Sequence, residues 1–137
     1  MANNLILYQM ELNRLNCEVI GSRLVITIAG ELCSGDLINF SYRAMQYVEK
    51  IGKDFTVLVD ANCAKFNLID GLWQKISMQF NERAQAKGVR KVAYVLPPYL
   101  FLKCAECAAP AIVRIFENQL DDAEAWLNES VPLSQKC

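Results

Sequence analysis

The sequence contains no histidine. That removes the one side chain whose ordinary pKa lies between pH 5 and 8, and with it the usual nucleophile–base triads. Glycine-rich signatures are missing too. There is no Gly-x-Gly-x-x-Gly, no Walker-type loop and no Gly-x-Ser-x-Gly elbow, so nucleotide phosphates have no dedicated cradle and an esterase-type nucleophile has no turn to sit on. Charge of one sign is not in excess. Fourteen basic residues face fifteen acidic ones, a formal net charge of −1. Lys and Arg are scattered, and only Lys87-Gly-Val-Arg-Lys91 is locally basic. A nucleic-acid binder needs a basic stripe, so none is expected here. The Lys87–Lys91 cluster flanks a strand start and reads as a solvated edge.

No apolar run reaches the roughly 18 residues of a membrane span. The longest, Val92–Leu102, is broken by Pro97 and Pro98. The first residues, Met1-Ala-Asn-Asn-Leu-Ile-Leu-Tyr8, lack the basic start of a signal peptide. A cytoplasmic protein is therefore expected, with its six cysteines as reduced thiols. Zinc takes four ligands, and without histidine or a second Cys-x-x-Cys no set completes. No metal and no cofactor are expected.

What is present builds a core. Hydrophobic residues make up 53% of 137 residues, which fits one domain over residues 1–137, its core about 15–128 and 130–137 a tail. Cys17–Ile20 and Arg23–Ile28 read as strands around Gly21-Ser22, a pair suited to a type II′ hairpin. Leu5–Leu15 reads as extended, because Tyr8, Met10 and Leu12 alternate. Ala29–Asp36 reads as a loop ending in a helix cap. Leu37, Ile38, Ser41, Ala44, Met45 and Val48 keep a 3.6 period, so a helix runs on to Gly52. Phe55–Val59 is a strand apolar on both faces, ending in Asp60. Asp60–Asp70 reads as a loop.

The stripe Ile69, Leu72, Trp73, Ile76, Phe80, Ala84 makes a second helix, ended by Gly88. Val92, Tyr94 and Leu96 form another core strand. Pro97 and Pro98 open a third helix, where a missing N–H costs nothing. Ile112–Phe116 is the last strand. Asp121 with Glu124 forms a capping box for a fourth helix, with Leu120 as its staple and Trp126 docking it. Strands spaced by helices force a largely parallel sheet. The expected fold is α/β, a mostly parallel or mixed sheet of about five strands with four helices.

Three stretches resemble the STAS domain, the SpoIIAA-like anti-sigma-factor-antagonist fold. They are Leu24-Val-Ile-Thr-Ile-Ala-Gly-Glu-Leu32, then Val57-Leu-Val-Asp60 followed by Phe66-Asn-Leu-Ile-Asp-Gly-Leu72, and finally Ile112-Val-Arg-Ile-Phe-Glu117 with Ala123-Glu-Ala-Trp-Leu127. The last is similar to small stand-alone SpoIIAA-like proteins of bacteria. Classical members carry Asp-Ser-Ser-Gly at the second helix start, and a partner kinase phosphorylates one serine. Here Asp70 and Gly71 match the outer positions and both serines are missing. Ser77, the next one, lies about two turns inside the helix. The resemblance implies a non-catalytic module that binds a protein or a small ligand.

Candidate chemistry follows from placement. Ligands of parallel sheets bind beyond the carboxyl ends of strands. That places Asp60, Asn62, Cys63, Asp70, Gly71 and Trp73 in a candidate ligand or partner site. Asp60 and Asp70 could do acid–base work. The simpler readings are a turn residue for Asp60 and a helix N-cap for Asp70. Trp73 falls on an apolar helical stripe and reads more simply as packing. Ser34-Gly-Asp36 could hold an anion or simply cap its helix. Tyr99, Leu100, Phe101 and Leu102 open an almost wholly apolar helix that needs cover on a second side. A dimer partner, an apolar ligand or Leu5–Met10 would supply it. Cys104 and Cys107 form the one Cys-x-x-Cys, a possible redox pair. They sit well inside their helix, where the dipole no longer favours a thiolate, so buried packing is the simpler role. The functional expectation is a non-enzymatic binding or regulatory module, a homodimer in solution. A carrier of a small apolar molecule such as a lipid is the first alternative, and a thiol redox protein the second.

Overall fold

The computed structural model describes residues 14–100 and 111–129. Its strands and helices run β1 (Arg14–Ile20), β2 (Arg23–Cys33), α1 (Ser34–Lys50), β3 (Phe55–Asn67), α2 (Leu72–Ala86), β4 (Val89–Leu96), β5 (Val113–Glu117) and α3 (Leu120–Asn128). Residues 98–100 are helical as well, directly after Pro97. The five strands form one mixed sheet in the order β1-β2-β3-β4-β5. β1 pairs antiparallel with β2, and every later pair is parallel. The hairpin turn holds Gly21 at φ 62°, the left-handed value a type II′ turn needs at its first position.

The sheet carries two unequal cores. On the first face lie α1 and α2. Leu37, Phe40, Ala44 and Val48 of α1 and Trp73, Phe80 and Ala84 of α2 pack on Leu24, Ile26, Ile28, Val57, Val59, Val92 and Tyr94. On the second face, α3 sets Ala123 and Leu127 against Leu58, Ala93, Val95 and Phe116. Each fully buried Leu or Val contributes roughly 1.5–3 kcal/mol. The larger first face therefore dominates stability.

Two expected loops are strand instead. β2 runs on through Gly30-Glu-Leu-Cys33, and β3 runs on through Asp60 to Asn67, paired as far as Cys33 with Asn67. The cause is a β-bulge. Thr27 opposes Asp60 and Ala29 opposes Cys63, so Ile28 alone faces two residues, Ala61 and Asn62. One extra residue flips the phase of a period-two strand. Phe55, Val57, Val59 and Ala61 point to the first face before it, and Ala64 and Phe66 point there after it. The alternation breaks at Asp60, so the sequence looks as if the strand stops there.

Helix starts also differ from expectation. α1 has Cys33 as its N-cap, and α3 has Gln119 with no side-chain cap, so Asp121 and Asp122 fall in the first turn. α2 begins after Gly71, not Asp70, and no side chain caps it. The Lys87–Lys91 cluster is not a solvated edge throughout. Lys87 pairs with Glu49 at 2.7 Å, but Lys91 is only 9% exposed. Its ammonium lies 4.8 Å from the centroid of the Trp126 ring, beside the C-terminal end of α3, where a cation is favoured. Trp126 docks α3 as expected, its ring 6.0 Å from that of Phe116.

Candidate functional site at the carboxyl ends of the strands

α1 and α2 both start at the carboxyl ends of the parallel strands, and one bond ties these starts together. The Ile69 N–H donates to Ser34 Oγ at 2.9 Å. The turn between β3 and α2 then closes on itself, Leu72 N–H donating to Ile69 C=O at 3.0 Å and Lys75 N–H to Gly71 C=O at 3.0 Å. Gly71 stands at φ 79°, which any residue with a Cβ adopts at a cost. This turn holds Ile69 out of the core, 70% exposed. It is not a member of the α2 stripe, because it precedes the helix.

Tyr99 braces the other side. Its hydroxyl donates to Ala64 C=O at 2.8 Å and accepts from Phe66 N–H at 3.0 Å. It thereby satisfies backbone groups at the end of β3, which has outrun β4 there. Leu100 is buried against the first face. Trp73 is buried as well, its ring 5.2 Å from Phe66 and 6.0 Å, edge-on, from Tyr94. Asp70, Gly71, Trp73, Tyr99 and Leu100, all singled out from the sequence, thus share one place. With Phe66, Leu68, Ile69 and Gln74 they line a cavity of about 70 Å³. Drug-sized ligand pockets run about 300–1,000 Å³. A second, wholly apolar cavity of about 40 Å³ lies among Leu37, Phe40, Trp73, Ile76 and Phe80.

Asp60, Asn62 and Cys63 stand apart from this cavity. Asp60 Oδ1 accepts from Asn62 N–H at 3.1 Å, so its carboxylate braces the bulge. Cys63 is exposed on the strand beyond it. Asp36 Oδ2 accepts from Cys33 N–H at 3.1 Å and from the Cys33 thiol at 3.3 Å. Those bonds hold its carboxyl below the usual range. A carboxylate already sits on the first turn of α1, so Ser34–Asp36 is a cap and not an anion seat. Burial pushes the Cys17 thiol up to about 11, which leaves it a poor nucleophile. Phe101, Leu102, Cys104, Cys107, Leu5–Met10 and the tail from Ser130 lie outside the described residues. Among the described residues no group of three His, Cys, Asp or Glu side chains could hold a metal ion. No helix among them is long and apolar enough to cross a membrane.

The sequence leads one to expect the segments Gly30–Asp36 and Asp60–Asp70 to converge at this end; the bond between Ser34 and Ile69 is the detail it does not name. The available signal was Gly71 just before an apolar period, which places a turn at Ile69-Asp70.

A five-stranded mixed sheet with α1 and α2 on one face and α3 on the other defines a SpoIIAA-like fold. The SpoIIAA-like family model matches residues 23–128, and the chain belongs to that family. No curated protein matches the sequence. Among solved structures, the chain is similar to an uncharacterised DUF3478-family protein with a SpoIIAA-like fold from Shewanella loihica PV-4. The identity is 18%, over 82% of this chain and 91% of that one, with a TM-score of 0.53. That likeness concerns the fold.

Proposed function

We propose that this protein is a non-enzymatic binding module that acts by contact with another protein through the starts of α1 and α2. One observation carries the reading. Ile69 is 70% exposed, yet it sits on a turn fixed by two backbone hydrogen bonds and one to the Ser34 hydroxyl, and flanked by two helix starts. An apolar side chain presented rigidly to solvent loses little entropy when a partner covers it. Ile38, one turn into α1, and Tyr42, one turn further at the middle of that helix, are both exposed and carry an apolar stripe away from this end. The family's serines are absent beside Gly71, so this contact works without phosphorylation at the helix start. A cytoplasmic location and a homodimeric state belong to the same proposal.

The carboxylates near this end of the sheet and the Cys17 thiol of β1 support recognition over turnover. Asp60 and Asp36 are engaged in bracing backbone, and Cys17 is a buried, protonated thiol. A carrier of an apolar molecule draws less support. The cavity beside Tyr99 and Leu100 is several times smaller than a lipid chain needs.

The test is site-specific photo-crosslinking in the source cell. A crosslinker at Ile69 or Tyr42 is expected to capture one protein that a crosslinker at the exposed Gln85 does not. Ile69→Asp is expected to abolish capture from Tyr42 while leaving the circular dichroism spectrum unchanged. Equal capture from all three positions, or turnover of a substrate by the pure protein, overturns the proposal.

A further inference from the structure

β5 is an outer strand of the sheet among the described residues. Its ladder to β4 is bracketed by Val92 N–H donating to Ile112 C=O at 2.8 Å and Asn118 N–H donating to Leu96 C=O at 2.9 Å. In a parallel pair the bonding residues alternate. Arg114 and Phe116 therefore turn their backbone groups to β4. Val113, Ile115 and Glu117 turn theirs outward, a row of three donors and three acceptors. Such an edge templates another strand unless something covers it.

Beside this edge, on the second face, runs a groove of about 500 Å³ between β5 and α3. Its wall includes Phe116, Trp126 and Arg114, whose guanidinium lies 5.2 Å and 5.9 Å from the two ring centroids. Asp122 and Glu129 of the α3 side add their carboxylates to the lining, two to one guanidinium. What fits is an extended strand whose groove-facing side chain is basic. β5 is itself such a strand.

We infer that a second copy of this chain docks here, β5 against β5, antiparallel about a two-fold axis at Ile115. Centred there, the outward groups match: Ile115 faces Ile115, and Val113 faces Glu117 of the second copy. Arg114 then lies across from Phe116 of the second copy and enters the groove lined there by Asp122. The contact is self-complementary, as a two-fold interface must be. It removes both exposed edges by joining two sheets into one. A strand added by residues 130–137 fits less well. It would leave α3 on the second face and land beyond β5, a crossover opposite in hand to those through α1 and α2 on the first face.

Sedimentation velocity of the full chain across micromolar concentrations tests this. The wild type is expected to be a dimer. Glu117→Pro removes an outward N–H at an exposed position where proline is tolerated. It is expected to raise the dimer dissociation constant by about tenfold or more, with melting temperature and far-ultraviolet spectrum unchanged when monomeric samples are compared. Arg114→Glu is expected to weaken the dimer likewise, and Arg114→Glu with Asp122→Lys to restore it. A monomeric wild type overturns the inference, as does a dimer indifferent to Glu117→Pro. Failure of the charge swap overturns the antiparallel register. None of these results bears on capture at Ile69, which reports the other surface.

Discussion

The Lys91 ammonium donates to the Trp126 carbonyl at 2.6 Å and to the Glu129 carbonyl at 3.1 Å. One buried cation on β4 thus accompanies the Glu129 N–H on the Trp126 carbonyl and occupies the Glu129 carbonyl just past the helix end. The Arg23 guanidinium adds a second tie to this end, reaching Asn128 Oδ1 at 2.7 Å and Thr56 Oγ1 at 3.0 Å. α3 is short, nine residues, and rests on the smaller core. These polar anchors therefore carry a large share of its attachment.

Lys91→Met keeps much of the stem's volume and removes the donor. It is expected to destabilise the fold by about 1–3 kcal/mol, the cost of a hydrogen-bonded charge lost from a buried site. Urea denaturation measures the loss. Emission from Trp126 should shift to the red before global unfolding, because α3 loosens first.

Tyr99→Phe leaves Ala64 C=O and Phe66 N–H without their hydroxyl partner. The site is partly open, so water replaces some of the loss and about 1 kcal/mol of destabilisation is expected. Amide exchange should accelerate at Phe66 while the N–H groups at the centre of β3 stay protected.

Cys17 is expected to give the protein an alkaline limb. Its thiol ionises near 9.0 when unfolded and near 11 when folded. The folded state holds the proton longer, so this contribution is complete below about pH 9 and is lost as pH rises toward about 11. Cys17→Val removes it. The difference in urea midpoint between wild type and variant should be constant up to pH 8 and then change steadily in favour of the variant. In the folded wild type at neutral pH, a thiol reagent should label Cys33 and Cys63 and spare Cys17.

Glu49 joins the far ends of α1 and α2 through Lys87 and Arg83, each at 2.7 Å. The Lys87 ammonium, with Arg83 beside it, holds the Glu49 carboxyl below its usual range. A lowered carboxyl stabilises above its unfolded pKa and loses that effect as pH falls through its folded value. Glu49→Gln should therefore be less stable than wild type near neutrality. The gap should close in acid and shrink in high salt, because both partners are exposed. Thermal melts at pH 7 and pH 3, with and without salt, report it.

The helices α1 and α2 were legible because their apolar periods are long and their cores are one-sided. Trp126 was legible because a large ring on a short amphipathic helix has to dock. The bulge at Ala61-Asn62 was not. It is made by pairing with Ile28, thirty-odd residues away in the chain, and a strand that changes phase looks locally like a strand that ends. The same blindness hid one bond of the candidate site, although most of its lining residues were marked. Ser34 and Ile69 meet only because α1 and α2 start side by side on one face, and neither residue carries a mark of that meeting. Lys91 misled for a related reason. A lysine among basic neighbours looks solvated until a helix end is laid on it.

Composition and periodicity alone determined the class of this molecule. An apolar-rich chain of alternating strands and helices must build a layered α/β sheet. Tertiary structure decided which side chains face water. Whether Ile69 is presented or Lys91 is buried depends on the order of strands and on the face each helix takes, and those follow from contacts between residues far apart in sequence. Local pattern reports how each segment shields its own apolar surface; only the assembled sheet fixes what each segment shields it against.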